Sequence, residues 1–435
     1  MTETQTIFCV FFLALAPLAG AGLALMNAGL GRTRNAAHSM MAALCVIAVA
    51  ACAYFVCGRA FQGYAGGLAH VVTIAGQPWD WLGAVPWFFR GLALNGSTPG
   101  TAQGGPPVFL YAWLGVVGAA LAGLIPLGSG ADRWRLGAVC ASTALLAGLT
   151  FPLFAHWTWG GGWLAQLGMS YGLGRGYLDA GGSGTIHTVG GLTALAITWI
   201  VGPRRGKYSS DGMPMAIPGH NAVLVLFGCM IAFVGWLGLN SAGAMLFAGV
   251  DASRVPLIAM NTLLGASSAA LVAAMITKIR FGKPDASLTA NGWVGGLVAG
   301  SAACAFVPPA AIVIVGLVAG ALVTFSVELL DLRLEVDDPG GSISVHAVAG
   351  LWGVLAVGLL GRLEAGTEGQ LLAQVVGIGT LIGFVLPLTY GLNLILNRFI
   401  PQRVAVEGEQ QGMDLYELGA GAYPEFMTHT DDFMR

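Results

Sequence analysis

Charged residues are scarce in this chain of 435 residues: 9% are Asp, Glu, Lys or Arg, whereas a soluble domain usually carries about a quarter. Such a chain cannot cover a globular surface with water-facing groups, so an ordinary soluble domain is excluded. The 56% of hydrophobic residues and the 67 glycines, which let helices approach closely in lipid, predict an integral membrane protein. The net charge of −2 and the scattered basic residues argue against nucleic acid as a partner.

Signatures of enzymes and metal proteins are also missing. The seven cysteines form no CxxC pair and lie mostly in apolar runs, so we interpret them as small buried hydrophobic residues. No GxSxG motif marks a hydrolase nucleophile. We therefore expect no metal, no cofactor and no enzymatic activity. No Lys or Arg precedes the first apolar run, from about Ile7 to Leu30, so we predict a retained span and not a cleaved signal peptide.

Apolar runs of about 20 residues, the length that crosses a bilayer, are frequent in the sequence. They predict an all-α polytopic membrane protein with eleven transmembrane helices, at roughly 7–29, 39–58, 107–127, 136–156, 184–202, 220–240, 255–278, 288–307, 309–330, 343–361 and 370–397. Residues 1–403 form the predicted membrane domain, and the polar residues 404–435 form a predicted cytoplasmic C-terminal tail. Pro308-Pro309 predicts a tight turn between the eighth and ninth helices.

The distribution of Lys and Arg predicts the orientation of these helices. With the N-terminus outside, fourteen of the nineteen basic residues lie in inner loops or in the tail. The five on the outer side are Arg59, Arg90, Arg175, Arg254 and Arg362. Because basic residues concentrate on the cytoplasmic side, the sequence favours an N-terminus out and a C-terminus in.

One fourteen-residue pattern occurs twice. Residues 179–192 and 338–351 share D-x-G-G-S-x-x-[IV]-H-x-V-x-G-L, with eight identities at fixed spacing. The copies open the fifth and tenth spans, which cross the membrane in opposite directions. They therefore predict inverted five-helix repeats, repeat one at about 7–203 and repeat two at about 220–361, plus a last helix at about 370–397.

Each copy places a histidine eight residues after an aspartate: His187 after Asp179, and His346 after Asp338. Eight residues rise about 12 Å along a helix, close to the half-thickness of a bilayer core, about 15 Å. Because the two helices enter from opposite sides, we expect the two histidines to meet near the middle of the membrane.

Ionisable groups inside a membrane usually line a pathway, so we favour a pore over two core histidines that merely pack together. Two histidines without a third ligand make a weak metal site. A hydrophobic pore with imidazoles offers no ring of oxygens to Na⁺ or K⁺. It would admit ammonia, water or protons, and the residues alone do not choose among the three.

Further motifs resemble the ammonium transporter branch of the Amt/Rh family over most of the chain. In family order they are GLGRTRN (29–35), AHWTWGGGW (155–163), GWLGLN (235–240), GKP (282–284), DDP (337–339) and GMDLYELG (412–419). The resemblance implies a homotrimer in a cell membrane, such as the bacterial inner or plasma membrane, with one ammonium/ammonia pore per subunit guided by His187 and His346. It also implies that the tail can bind a PII-type regulatory protein.

The resemblance also assigns roles around the pore. It implies that Trp159 and Asp179 belong to an outer site where ammonium is recruited and deprotonated, although a belt tryptophan and a helix cap are the simpler interpretations. A Trp face attracts cations by roughly 0.5–2 kcal/mol. Phe109 matches one of the family's gate phenylalanines, and Asp338 is the pseudo-symmetric acidic residue.

Two positions depart from the family pattern. Leu239 stands where the family has a second gate phenylalanine, and Gly243 stands where it has a serine that helps bind the cation. The altered outer site motivates an alternative function, an Amt-like sensor that binds ammonium with little or no flux. Rh-like conduction of neutral ammonia is a further alternative.

Overall fold

The computed structural model describes residues 1–90, 108–363 and 368–423. In these residues, ten helices are long and apolar enough to cross a membrane, and one more helix of 18 residues packs among them. We number them α1 (Glu3–Leu30), α2 (Thr33–Gln62), α3 (Val108–Gly130), α4 (Leu136–Thr158), α5 (Ser183–Val201), α6 (Ala222–Phe247), α7 (Ala252–Phe281), α8 (Ala286–Ala303), α9 (Pro309–Arg333), α10 (Ile343–Leu360) and α11 (Gln370–Phe399). The predicted all-α polytopic fold class is confirmed.

Helix α8 is the one of the eleven that is not apolar enough to count as a membrane span by composition, and it is largely enclosed by other helices. Of its 18 residues, 13 are buried against other helices, so few side chains need to face lipid. This allows polar residues such as Asn291 in its interior. A tight turn follows, with the amide of Phe306 donating to the carbonyl of Ala303 at 2.8 Å. Helix α9 then begins at Pro309, where a missing N–H costs nothing, as the Pro-Pro pair predicts.

A β-hairpin after α2 is absent from the sequence-based prediction. Strands β1 (Ala69–Ile74) and β2 (Gln77–Gly83) pair antiparallel across a two-residue turn, in which Ala75 and Gly76 both have positive φ. Two-residue turns of this kind suit the twist of a hairpin. The hairpin is held to the protein by Trp79, whose ring stacks on Trp163 with centroids 4.7 Å apart.

Helices α5 and α10 cross closely through equivalent glycines of the two repeats. A Cβ on Gly191 would lie 2.3 Å from the backbone nitrogen of Ala347, and a Cβ on Gly350 would lie 2.4 Å from Thr188 Oγ1. Gly191 comes after Thr188 in α5, whereas its contact Ala347 comes before Gly350 in α10. The two helices therefore run antiparallel. Each contact also maps onto the other through the repeat, which defines an approximate two-fold axis at the crossing. The repeat boundaries and the sidedness remain predictions.

The described part of the tail folds back onto the ends of helices on the side predicted to be cytoplasmic. Glu409 Oε2 accepts a hydrogen bond from the Arg403 guanidinium at 2.9 Å, and its Oε1 accepts one from the amide of Arg205 at 2.6 Å. The carboxylate of Asp414 accepts from the amide of His38, near the beginning of α2, at 2.7 Å. The remaining tail residues, 424–435, lie outside the described residues.

Candidate functional site

Each repeat begins its helix with a turn built around its aspartate. The carboxylate of Asp179 accepts hydrogen bonds from the amide and hydroxyl of Thr185, both at 2.7 Å, and from the amides of Gly182 and Gly184. Gly182 has φ +93°, a conformation that favours glycine. Asp179 is therefore a buried cap that holds the beginning of α5.

The second repeat has a matching turn. The carboxylate of Asp338 accepts from the amides of Ser342 and Ile343 at 3.0 and 2.8 Å, and from the Ser129 hydroxyl at 2.7 Å. Gly341, the counterpart of Gly182, has φ +67°. The first residues of α5 and α10, which carry the histidines, are both wound as π-helix in place of α-helix. Such segments are rare and frequently lie at functional sites.

The structure brings His187 and His346 together at the crossing of these helices. Their ring centroids are 5.3 Å apart and their planes differ by 29°. His187 is fully buried and His346 is 3% exposed. Both ring nitrogens of His187 and Nδ1 of His346 are buried without a hydrogen-bond partner among the described residues. Buried polar atoms are usually bonded, so these nitrogens are available to a small hydrogen-bonding molecule.

Trp236 of α6 stacks on the ring of His187. The two rings are almost parallel, at 8°, with centroids 5.0 Å apart. The indole Nε1 donates to Ser301 Oγ of α8 at 3.1 Å, which fixes the ring. We did not single out Trp236 from the sequence. The predicted span 220–240 placed this tryptophan near its end, where interfacial tryptophans are common. The observed α6 continues to Phe247, which puts Trp236 near the middle of the helix.

A small cavity of about 10 Å³, enough for one water-sized molecule, adjoins His346 on the side of the Asp338 turn. Its polar lining includes Asn27, Asn291 and Ser342. The Asn291 Oδ1 atom has no hydrogen-bond partner in the described part of the chain. The cavity therefore offers His346 a polar neighbourhood on the side predicted to be inner.

At the other end of the histidine pair lies a stacked aromatic pair, Trp159 and Phe247. Their planes differ by 4° and their centroids are 4.4 Å apart. Trp159 Nε1 donates to the carbonyl of Asp179 at 2.7 Å, which ties the pair to the α5 turn. The ring centroid of Tyr111 lies 5.5 Å from that of Phe247. Phe247 was missed because α6 continues seven residues past the predicted end at 240.

The structure shows where the predicted gate residue Phe109 and the two altered positions, Leu239 and Gly243, lie. Phe109 lies in the first turn of α3 with 42% of its surface exposed. The stacked aromatic pair beside the Asp179 turn is Trp159 and Phe247. The role of Phe109 as a gate stays a prediction. Leu239 is buried, 1% exposed. A Cβ on Gly243 would lie 2.3 Å from the carbonyl oxygen of Ala180, so the family's serine does not fit against this turn.

Membrane-spanning helices, an antiparallel pair of helices that carry the two copies of the repeat, and polar side chains at their crossing define a multi-pass membrane protein of the transporter class. The family model described as Ammonium Transporter Family matches residues 7–423. The chain belongs to the ammonium transporter family. This membership supports a role in ammonium transport across a membrane, not enzymatic catalysis.

Relatives and solved structures agree with this assignment. The chain is 36% identical over 425 residues to ammonium transporter Amt2 of Archaeoglobus fulgidus, covering 94% of this chain and 85% of the relative. It is 30% identical to the ammonium transporter of Bacillus subtilis, covering 98% and 100%. A solved structure described as Sensor Amt Protein superposes with a TM-score of 0.83 at 26% identity, covering 95% and 98%. Candida albicans Mep2, at 24% identity, shares the fold with a TM-score of 0.80, covering 99% and 92%.

Proposed function

We propose that this protein carries ammonium across the membrane by passing ammonia between His187 and His346. The observation that carries the proposal is the buried, stacked imidazole pair, with ring centroids 5.3 Å apart and three ring nitrogens unbonded among the described residues. A neutral imidazole offers one donor and one acceptor, which match the lone pair and the N–H groups of ammonia.

The charge on ammonium makes deprotonation part of the proposal. A cation in a water-poor passage between apolar helices is costly, whereas ammonia has no charge to desolvate. Ammonium would lose its proton at the outer end, near Trp159 and the Asp179 turn, and regain one on the inner side. If the proton also follows the histidines the transport is electrogenic, and if it returns to outer water the conduction is neutral.

The test is flux through the purified protein in liposomes, measured as current on a solid-supported membrane and as internal alkalinisation. We expect His187→Leu and His346→Leu each to reduce flux by about tenfold or more, because each removes a hydrogen-bonding group from the passage. His70→Leu, on the exposed hairpin, is the matched control and should transport normally. Unchanged flux in both pore variants would refute the proposal.

A sensor with little or no flux is the second candidate. The Gly243 position, where no serine hydroxyl fits, favours it, and one structural neighbour is described as Sensor Amt Protein. Calorimetric titration of ammonium, done on the protein used for the flux assay, separates the candidates. Binding without current or alkalinisation would establish a sensor, and either flux signal would establish transport.

We also propose the family's assembly for this chain: a homotrimer in the bilayer, with a PII-type regulatory protein as a partner of the tail. The described tail residues are docked through Glu409 and Asp414, so such a partner would meet this surface. Mass measurement in lipid nanodiscs tests the trimer. A monomeric mass would contradict it.

A further inference from the structure

A large cavity lies outside the histidine passage and is rich in arginine. It has a volume of about 250 Å³. Three of the five basic residues that the sequence predicts on the outer side contribute to its lining. The residues used below are Arg175, Arg254, Arg362, Asp251, Phe306 and Leu363.

The fold brings the three arginines together from separate segments. Arg175 lies in the connection between α4 and α5, Arg254 near the beginning of α7, and Arg362 directly after α10. Two of these segments are fixed through their backbone amides. Arg175 donates to the Gln370 side chain at 2.9 Å, and Arg362 donates to the carbonyl of Phe306 at 2.8 Å. The arginine cluster is therefore a product of the tertiary structure.

The described part of the lining carries an excess of positive charge. Among the described lining residues, Asp251 is the acidic one, and its carboxylate also accepts from Gln5 Nε2 at 3.0 Å and from the amide of Ser253 at 2.9 Å. Even Arg175 and Arg362 alone, set against Asp251, leave one net positive charge. Like charges brought together repel, and an anion in the cavity offsets this repulsion.

The chemistry of the lining indicates which anion fits. A guanidinium group presents parallel N–H donors that match two oxygens of a phosphate or carboxylate. Phe306 and Leu363 add an apolar wall beside these donors, and Phe306 is only 5% exposed. A phosphate group with one ester substituent would place its charged oxygens on the arginines and its substituent on this wall.

We propose that this cavity is a binding site for a phosphate-type oxyanion. Two sources share this chemistry, a soluble phosphate and the headgroup of an anionic phospholipid. The proposal concerns anion binding at this cavity, and it stands or falls independently of ammonium flux.

The experiment measures thermal unfolding of the full chain in nanodiscs. In the first arm the lipid is phosphatidylcholine and inorganic phosphate is titrated, with sodium chloride at equal ionic strength as reference. In the second arm phosphatidylglycerol is added to the lipid and no phosphate is present. A saturable stabilisation in the first arm identifies a soluble ligand, and stabilisation in the second identifies a lipid headgroup.

The variants tie the signal to the cavity. The double variant Arg175→Gln/Arg362→Gln alters two exposed side chains. We expect its apparent affinity to fall by about tenfold or more, because charge-assisted hydrogen bonds are lost. Arg90→Gln, an outer arginine whose guanidinium lies over Phe88 at 5.6 Å, should respond as wild type. Arg362→Lys keeps the charge without the planar fork and should weaken binding less than the double variant.

Three results would overturn the site. They are the absence of stabilisation of the wild type in both arms, an equal effect of chloride and phosphate, and an equal response of the wild type and the double variant. None of these readouts involves ammonium.

Discussion

At the residue scale, Gly243 shows how the absence of a Cβ permits close packing against the Asp179 turn. The residue packs directly against the Asp179 turn, and a Cβ would lie 2.3 Å from the carbonyl oxygen of Ala180. Backbone atoms cannot rotate away as a flexible side chain can. The family's serine is therefore incompatible with this turn as it stands, and the turn also holds the beginning of α5.

We predict that Gly243→Ser destabilises the protein and does not strengthen ammonium binding. Overpacking of this kind costs about 1–3 kcal/mol. Thermal unfolding in detergent and calorimetric titration of ammonium measure the two effects. Gly379→Ser is the control, since a Cβ there has nothing within 4 Å. Normal stability together with tighter binding would show that the turn gives way and accepts the hydroxyl.

Trp236 leads to a prediction about positioning. Its indole covers one face of His187, and Trp236→Phe keeps an aromatic face whereas Trp236→Leu removes it. We expect flux to fall in the order wild type, Phe, Leu, with similar folding of all three proteins. Trp199→Leu, at a position 50% exposed in α5, is the control and should leave flux unchanged. Equal flux in the Phe and Leu variants would remove the positioning role.

The residues that the sequence could predict are those fixed by the repeat. His187 and His346 occupy equivalent positions in two oppositely directed segments, so their depth and their approach follow from the repeat alone. Trp236 and Phe247 depend instead on the rotation of α6 about its axis. That helix is apolar on every side, and a helix without a polar face does not reveal which side faces inward.

At the element scale, the crossing of α5 and α10 depends on glycine. We predict that Gly191→Ala destabilises the protein by about 1–3 kcal/mol, because its Cβ meets the backbone of Ala347 and forces the helices apart. The control is Gly391→Ala in α11, where a Cβ meets nothing within 4 Å. It should be neutral, or stabilising by up to about 1 kcal/mol through helix propensity.

Chemical denaturation of the two glycine variants in mixed micelles, followed by circular dichroism, measures this difference. If Gly191→Ala is as stable as Gly391→Ala, the close approach of α5 and α10 does not limit the stability of the protein. The histidine spacing would then have to be maintained by other contacts.

Elements differ in how far the sequence predicts them. Long apolar runs predict helices well because the bilayer leaves few alternatives for the backbone. The hairpin at 69–83 was missed because isolated two-stranded ribbons are only marginally stable in water. Contacts such as the stacking of Trp79 on Trp163, far away in sequence, hold it in place. Single-sequence patterns carry no information about such contacts.

At the scale of the whole molecule, one buried arginine joins the ends of three helices, α3, α5 and α10. Arg204 donates to both carboxylate oxygens of Asp337 at 2.9 Å, and to Asp132 at 3.2 Å. Asp337 precedes the Asp338 turn of the second histidine helix, and Asp132 follows α3. The carboxylate of Asp132 also accepts from Arg32 at 3.0 Å, so this network also includes the connection between α1 and α2.

The pKa of each carboxyl in this network records a balance of opposing effects. Burial alone would raise the pKa of Asp337, but its hydrogen bonds to Arg204 and the charge of Arg133 outweigh burial and lower the pKa. Burial likewise opposes the charges of Arg204 and Arg32 at Asp132, and the net pKa is again lowered. Both carboxylates are thus more acidic in the folded protein than in the unfolded chain.

This pKa difference predicts the pH dependence of stability. A lowered carboxyl pKa contributes stability that is complete above the unfolded pKa, about 4, and is lost as pH falls through the folded pKa. Arg204→Gln leaves two buried carboxylates without their main partner, which costs about 3–5 kcal/mol at neutral pH. Towards acid pH the wild type loses this contribution, so the difference between the two proteins should narrow.

Thermal unfolding of both proteins from neutral to acid pH, in a detergent whose headgroup does not titrate, measures this narrowing. Arg280→Gln provides the control, because Arg280 pairs with Glu328 at an exposed position where such pairs contribute about 0–1 kcal/mol. We expect that control to follow the wild type at every pH. A large loss that stays constant from neutral to acid pH would mean that Arg204 stabilises the protein through packing. The ion pairs of the carboxylates would then contribute little to the stability of the protein.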